Sequence, residues 1–387
     1  MTFSIFLDML FMVVGGLSIF LLGMNNMSTG LQAIAGNKMR SLVGAVTHNR
    51  FFALTVGFIV TAIIQSSSVT TVMVVGFVNA GIMSLAQALG VILGANIGTT
   101  ITGWILVLKI GKYGLPLLGF CGLYYLFCKN ERNRYIARMI MGIGMVFFGL
   151  ELMKNGFTPI RDIPEFLALF SMFSPETLGG LVLSVFTGAF ITAIIQSSSA
   201  SVGIVMGMAT TGVISFDAAV ALIIGMNIGT TITAFLASMG TTTNAKRAAY
   251  GHIFVNVLGC MCVLPFFGFY LRLLPMIAGV DPGLAVIEDA TVTYPYIVRG
   301  VAIAHTIFNI ISAIIFIPFI SLIAKLLVRL VPEKPFKEKV RLTKLDVRMI
   351  ESPLMVIEQS RNEILHMGRK TEQMLQQLRE ILNSDEL

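Results

Sequence analysis

Apolar runs follow one another along most of the chain, at about 4–24, 51–64, 69–80, 85–95, 101–108, 113–128, 139–153, 178–195, 199–214, 218–226, 232–239, 248–271 and 297–330. The longest fit membrane-spanning helices. Several are too short: a 14-residue helix at 1.5 Å per residue reaches roughly 21 Å, against a hydrocarbon core of about 30 Å. Short apolar helices in lipid are expected to be half-helices, because interrupted backbone is tolerated there only where the break faces protein or a water-filled cavity. The breaks are therefore the functional candidates.

An internal repeat locates them. Residues 57–102 align without a gap on 188–233, with 23 of 46 positions identical. Both copies contain TAIIQSSS (Thr61 to Ser68, Thr192 to Ser199) and then NIGTTIT (Asn96 to Thr102, Asn227 to Thr233). A weaker match lays FLLGMNNMSTGL (20–31) over VFFGLELMKNGF (146–157), so each unit begins with a spanning helix. With one spanning helix, one re-entrant hairpin tipped by QSSS, one broken spanning helix and one further helix, each copy crosses three times. An odd number of crossings inverts the second copy. The expected fold is an all-α integral membrane protein of inverted-topology repeats, each with a re-entrant helical hairpin and a broken transmembrane helix. Residues 1–128 form the first repeat, 139–271 the second, 297–332 a final transmembrane helix and 333–387 a cytoplasmic helical tail.

Composition agrees with the bilayer. Hydrophobic residues make up 56% and charged residues 12%, and mean hydropathy is +0.85, too apolar to clothe a soluble globule. The tail carries ten basic and ten acidic residues, so the net charge of +7 resides in residues 1–332. Basic residues flanking apolar spans need no nucleic acid to explain them. Eleven Lys and Arg at one set of ends against six at the other place the N-terminus outside and the C-terminus in the cytoplasm. No Lys or Arg precedes the first apolar run, which reads as a first transmembrane helix rather than a cleaved signal peptide. Cys121, Cys128, Cys260 and Cys262 include no CxxC pair, which speaks against zinc or disulfide chemistry. The basic stretches 31–49 and 158–173 are expected in the interface and 272–296 as an external loop. Leu354, Ile357, Ile364, Leu375, Leu378 and Leu382 give the tail an amphipathic helical pattern, for packing on itself or a partner, or as a solvated extension.

Small polar residues can simply glue membrane helices together, but two copies of the same eight residues, each centred in an apolar stretch, favour function. If the chain breaks at Gln65 and Gln196, Ser66 to Ser68 and Ser197 to Ser199 cap the second limbs. Their free N–H groups and positive dipole ends then make an anion seat. The glutamines can donate or accept, and hydroxyls and freed carbonyls can coordinate a hard cation. In the second motif, Gly98 and Gly229 are expected to permit unwinding. Asn96 and Asn227 would end one half-helix, and Thr99, Thr100, Thr230 and Thr231 would begin the next with hydroxyls at the break.

Between Phe51 and Leu108 there is no Asp, Glu, Lys or Arg, and between Thr177 and Ala245 only Asp217. That speaks against proton coupling through these elements and leaves an anion no Arg clamp. Charge must be balanced by dipoles and a co-bound cation. His252 with Asn256 and His305 with Asn309 each share one helix face, as hydrogen-bonded packing or, alternatively, as metal ligands or proton carriers. No G-x-S-x-G elbow supports hydrolase chemistry.

The paired QSSS and NIGTT motifs resemble those of the type II sodium-phosphate cotransporter family, over residues 1 to about 330. The resemblance implies a transporter, not an enzyme, that moves inorganic phosphate with sodium as co-transported ion and no organic cofactor. It implies substrate contacts from Gln65, Ser66, Ser67, Gln196, Ser197, Ser198, Asn96 and Asn227. Sodium contacts would come from Ser67, Ser68, Ser198, Ser199, Thr99, Thr100, Thr230, Thr231 and the same two asparagines. HIFVN at 252–256 also looks like the family's His-x-x-x-Asn helix. Electrogenic members carry an Asp after a corresponding His following the first repeat, whereas residues 103–128 contain neither. The tail is similar to the opening of the PhoU-like helical domain of bacterial relatives, which implies a bacterial inner membrane. A homodimer is compatible with this reading. A phosphate exporter, a carrier of another oxyanion such as sulfate, and a membrane-anchored signalling scaffold are the alternatives.

Overall fold

The structure is a computed structural model, and it describes residues 3–35, 49–108, 111–159, 163, 172–288, 291–332 and 353–383. The chain is a multi-pass, all-helical membrane protein. Its opening helix α1 (Phe3–Ala35) is followed by α2 (Arg50–Ile64), α3 (Ser67–Asn79), α4 (Leu85–Val107) and α5 (Gly111–Phe127). The second copy comprises α6 (Glu131–Phe157), α7 (Leu178–Ile195), α8 (Ser198–Thr210), α9 (Phe216–Gly229), α10 (Thr231–Ser238) and α11 (Thr243–Val263). A 3-10 turn at Leu264–Phe266 leads into α12 (Phe267–Ala278). A short hairpin of β1 (Val286–Glu288) and β2 (Thr291–Thr293) precedes α13 (Ile297–Phe316), a second 3-10 turn at Ile317–Phe319, α14 (Ile320–Leu330) and α15 (Pro353–Asn383).

Seven helices among the described residues are long and apolar enough to cross a membrane. Six are expected crossings. The seventh is α7, a hairpin limb of 18 residues, while the expected crossing α5 is a shorter apolar helix. The expected external loop at 272–296 begins later than its sequence suggests, because α12 runs to Ala278 and ends on Gly279 in the left-handed conformation (φ 69°). Pro275 lies inside that helix, and the Gly279 N–H closes its last turn on the Pro275 carbonyl. Most of the stretches expected in the interface lie outside the described residues, as do tail residues 333–352 and 384–387.

The two copies meet through their first helices. A Cβ on Gly16 would lie 2.8 Å from the Gly149 carbonyl oxygen, one on Gly23 2.8 Å from that of Gly142, and one on Gly30 2.8 Å from that of Tyr135. Numbering rises on α1 as it falls on α6, so the counterparts run antiparallel, as inverted copies packed across a pseudo-two-fold must. A glycine every seventh residue lets the backbones approach this closely without the Cβ atoms that would hold them apart.

Within each copy the hairpin is held against the following long helix by the same device. A Cβ on Gly94 would lie 1.9 Å from the Leu54 carbonyl oxygen, and one on its counterpart Gly225 1.9 Å from that of Val185. The α4 helix starts with a capping box, in which the Ser84 hydroxyl accepts from Gln87 N–H and the Gln87 side chain accepts from Ser84 N–H. Its inner face, from Ala88 to Ala95, is buried without interruption. These contacts fix where the hairpin tips lie.

Candidate functional site

Both QSSS motifs form hairpin tips with the same backbone geometry. Gln65 (φ 57°, ψ 26°) and Gln196 (φ 56°, ψ 22°) end α2 and α7 in the left-handed conformation. They are the only non-glycine residues of positive φ among those described. An L-residue with a long side chain pays roughly 1–2 kcal/mol for that conformation, so a glutamine in each is held there by its surroundings. The next residues, Ser66 and Ser197, are extended N-caps whose hydroxyls accept from Val69 N–H and Ala200 N–H. The first intrahelical bonds of α3 and α8 come from Thr70 N–H and Ser201 N–H. The amides of Ser67 and Ser68, and of Ser198 and Ser199, precede them and remain for a ligand. In the first hairpin the limbs are tied by a hydrogen bond between Thr61 and Thr70 hydroxyls at 2.9 Å.

The tips communicate through Thr102, the last residue of the first NIGTTIT. Its hydroxyl donates to Gln65 Oε1 at 3.1 Å and lies 3.1 Å from Ser199 Oγ, which can donate in turn. A single side chain on α4 thus bridges the two hairpins. Sequence alone gave Thr102 no role. Its repetition as Thr233 was a signal, but the Thr233 hydroxyl instead donates to the Thr230 carbonyl. We expect Thr102→Val to leave Gln65 Oε1 buried without a donor and cost about 1–3 kcal/mol. Detergent-solubilised protein with an unchanged unfolding midpoint would refute the bridge.

The first NIGTT motif departs from expectation, and the second follows it in part. Helix α4 runs unbroken through Asn96 to Thr102, whereas the second copy is interrupted, α9 ending at Gly229 and α10 starting at Thr231 with Thr230 between them at φ −58°, ψ −27°. Gly98 is therefore not a helix break, whereas Gly229 ends α9 at the interruption. Their role is close approach: a Cβ would lie 2.7 Å from the Phe58 carbonyl oxygen at Gly98 and 2.2 Å from that of Ala189 at Gly229. The threonine hydroxyls are engaged by nearby carbonyls: Thr99 and Thr100 donate to Ala95 and Ile97 within α4, and Thr230 and Thr231 donate across the interruption to Met226 and Ile228 of α9.

Asn96 is held from α11. Its Nδ2 donates to Asn256 Oδ1 at 3.1 Å, and its Oδ1 lies 3.2 Å from His252 Nε2. All three side chains are buried. The first His-x-x-x-Asn motif is thus a clamp on a motif residue, not a metal site. Among the described residues no three His, Cys, Asp or Glu side chains come together.

The copies differ in access. Gln65 is 6% exposed whereas Gln196 is exposed. Ser67, Ser198, Ser199 and Asn227 are buried, and Ser66, Ser68 and Ser197 are half-buried. The Ser67 hydroxyl is buried without a partner. Two capped helix ends with uncommitted amides, hydroxyls and amide side chains, and no charged side chain on either hairpin but Arg50 at the far end of α2, can seat an anion only with added positive charge.

Comparison with known proteins agrees with this geometry. The chain is 27% identical over 365 residues to a Salmonella typhimurium protein named "Putative inorganic phosphate export protein YjbB", covering 94% of this chain and 63% of the relative. The chain thus spans under two thirds of that relative's length. It is 30% identical to an uncharacterised Bacillus subtilis protein, YqeW, over 81% of this chain and 96% of the relative. Human sodium-dependent phosphate transport protein 2B is 32% identical over 141 residues, 34% of this chain and 20% of that protein. No solved structure matches this chain significantly. A family profile described as Na+/Pi-cotransporter matches residues 19–155 and 175–273, taking in both hairpins and both long helices, and the chain belongs to that family.

Proposed function

We propose that this chain is a secondary active transporter that carries inorganic phosphate together with sodium. The observation that carries the reading is the pair of glutamine-serine tips bridged by Thr102. Each tip offers the first amides of a helix, where partial positive charge of about half a unit favours an anion. Phosphate belongs at Gln65, Ser66, Ser67, Gln196, Ser197 and Ser198, between the tips. Sodium takes oxygen ligands from the serine hydroxyls, with Asn96 and Asn227 flanking. The hydroxyls of Thr99, Thr100, Thr230 and Thr231 are already engaged by backbone carbonyls, so their contribution needs a change of rotamer. The inverted arrangement suits alternating access by rocking one copy against the other, and the unequal exposure of Gln65 and Gln196 supports it.

The deciding experiment is radiolabelled phosphate uptake into proteoliposomes with an inward sodium gradient, and with choline in its place. Uptake that needs the sodium gradient is expected; equal uptake in choline would overturn coupling. Labelled sulfate in the same vesicles tests the oxyanion. On the proposed orientation in a bacterial inner membrane, with the N-terminus outside, cysteine labelling places position 154 outside and position 246 inside. Both on one side would sink that topology.

A second reading is export, favoured by the printed name of the Salmonella relative. The same site serves either direction, because the gradients set the sign. A signalling scaffold is the outcome if substitution of both Gln65 and Gln196 leaves cellular function intact while loss of the tail abolishes it.

A further inference from the structure

The chain contains a second internal repeat, unrelated in spacing to the first. His252, Asn256, Pro265 and Phe266 recur as His305, Asn309, Pro318 and Phe319, at a constant separation. The structure repeats with them. In both segments a long helix carrying His-x-x-x-Asn gives way to a 3-10 turn (Leu264–Phe266, Ile317–Phe319) and then a further helix, α12 or α14. Packing follows the same rule. Both α11 and α13 lie against α4 and against α9; α11 also packs on α3, and α13 on its counterpart α8. Thus α13 stands to the second copy as α11 stands to the first. By the pairing that sets Asn96 against His252 and Asn256, Asn227 belongs opposite His305 and Asn309.

The two arrangements are not equally satisfied. Asn256 and Asn309 both donate Nδ2 to the histidine carbonyl one turn back, at 2.9 Å in each case. Asn256 Oδ1 then accepts from Asn96, but Asn309 Oδ1 is buried with no partner. Asn227 spends its Nδ2 on the Ile223 carbonyl at 3.0 Å, keeping its Oδ1 as an acceptor. One turn beyond Asn309, where α11 has Gly259, α13 has Ser312, whose hydroxyl is also buried and unpartnered. His305, Asn309 and Ser312 share one face at i, i+4 and i+7, and are 3%, 1% and 7% exposed.

Orphaned buried acceptors state the sign of what they take. Asn309 has one N–H on the His305 carbonyl, and the atom it leaves buried without a partner is its oxygen, which repels an anion and needs a cation or a donor. A divalent ion would want carboxylates, and none lies on these helices near the face. We propose that Asn309 and Ser312, positioned by His305 and joined by Asn227, form a seat for a hard monovalent cation, sodium, separate from the QSSS tips. The corresponding Asn256 oxygen is already taken by Asn96 and offers no such seat. The seat rests on the sodium coupling proposed above and adds α13 to it.

The test is binding of 22Na+ to the purified full chain in detergent without phosphate. Ser312→Ala and Asn309→Ala should each weaken sodium binding about tenfold. Asn309→Asp, nearly the same shape with a charge added, should tighten it by a similar factor. Unchanged sodium affinity in both Ser312→Ala and Asn309→Asp overturns the seat and leaves these atoms to an ordered water. If the alanine variants fail to fold, Asn309→Asp alone decides. Sodium binding that ignores α13 but falls on substitution of Ser67 defeats this seat and spares the coupling. No sodium binding to the unmodified chain defeats both.

Discussion

Phosphate should bind the purified protein about a hundredfold more weakly in choline than in saturating sodium. Phosphate carries one to two negative charges at neutral pH, and an uncompensated ion moved from water to low dielectric costs tens of kcal/mol by Born estimates. The helix ends at Ser66 and Ser197 return at most about 2 kcal/mol each. Apart from Arg50, at the end of α2 away from the tip, no Lys or Arg lies on either hairpin or on the long helices that follow, so the balance must arrive with the substrate. A coupling of about 3 kcal/mol, the upper end of ordinary linkage, corresponds to roughly 150-fold, and sodium affinity must rise with phosphate by the same factor. The buried, unpartnered hydroxyl of Ser67 makes Ser67→Ala the variant expected to weaken the linkage, while changes at Gln65 or Gln196 should impair phosphate itself. Equal dissociation constants in the two buffers, by isothermal calorimetry, would refute the mechanism.

Replacing Gly98 or Gly229 with Ala should destabilise the protein by about 2 kcal/mol. Intrinsic propensity runs the other way, since Ala is favoured over Gly in a helix by about 0.5–1 kcal/mol. The Cβ, however, would sit 2.7 Å or 2.2 Å from a backbone carbonyl oxygen of the neighbouring hairpin limb, and overpacking of this kind costs about 1–3 kcal/mol or more. The sign separates two readings of the motif. An unwound glycine would tolerate Ala or be stiffened by it; a glycine at a backbone contact would not. A raised unfolding temperature in Gly98→Ala would restore the break there.

That ambiguity explains what the sequence could and could not reveal. Hydropathy and the doubled octapeptide located both hairpin tips, because an apolar helix too short for the bilayer must turn. Gly98 was misread because unwinding and close approach both ask for a missing Cβ, and the partners, Phe58 and Ala189, are distant in sequence. Thr102 was passed over for a related reason: its importance lies in where Gln65 and Ser199 meet. The His252–Asn256 pair does pack by hydrogen bonds, the first of the two readings, but its spacing could not name Asn96 as the partner. No sequence comparison could have distinguished Gln65 from Gln196, since the octapeptides are identical. Their different exposure belongs to the conformation.

The uncharged hairpins also have an electrical consequence. A fixed charge crossing the membrane field does work of about 2.3 kcal/mol per 100 mV. Helices α2, α3, α7 and α8 carry no Asp or Glu, and their only Lys or Arg is Arg50 at the start of α2, bonded to the Pro318 carbonyl and the Ser321 hydroxyl. When these tips rearrange, the protein itself displaces almost no gating charge. Membrane voltage can then act on the transport cycle only through the ions being carried, so the current measured per phosphate counts the sodium ions directly.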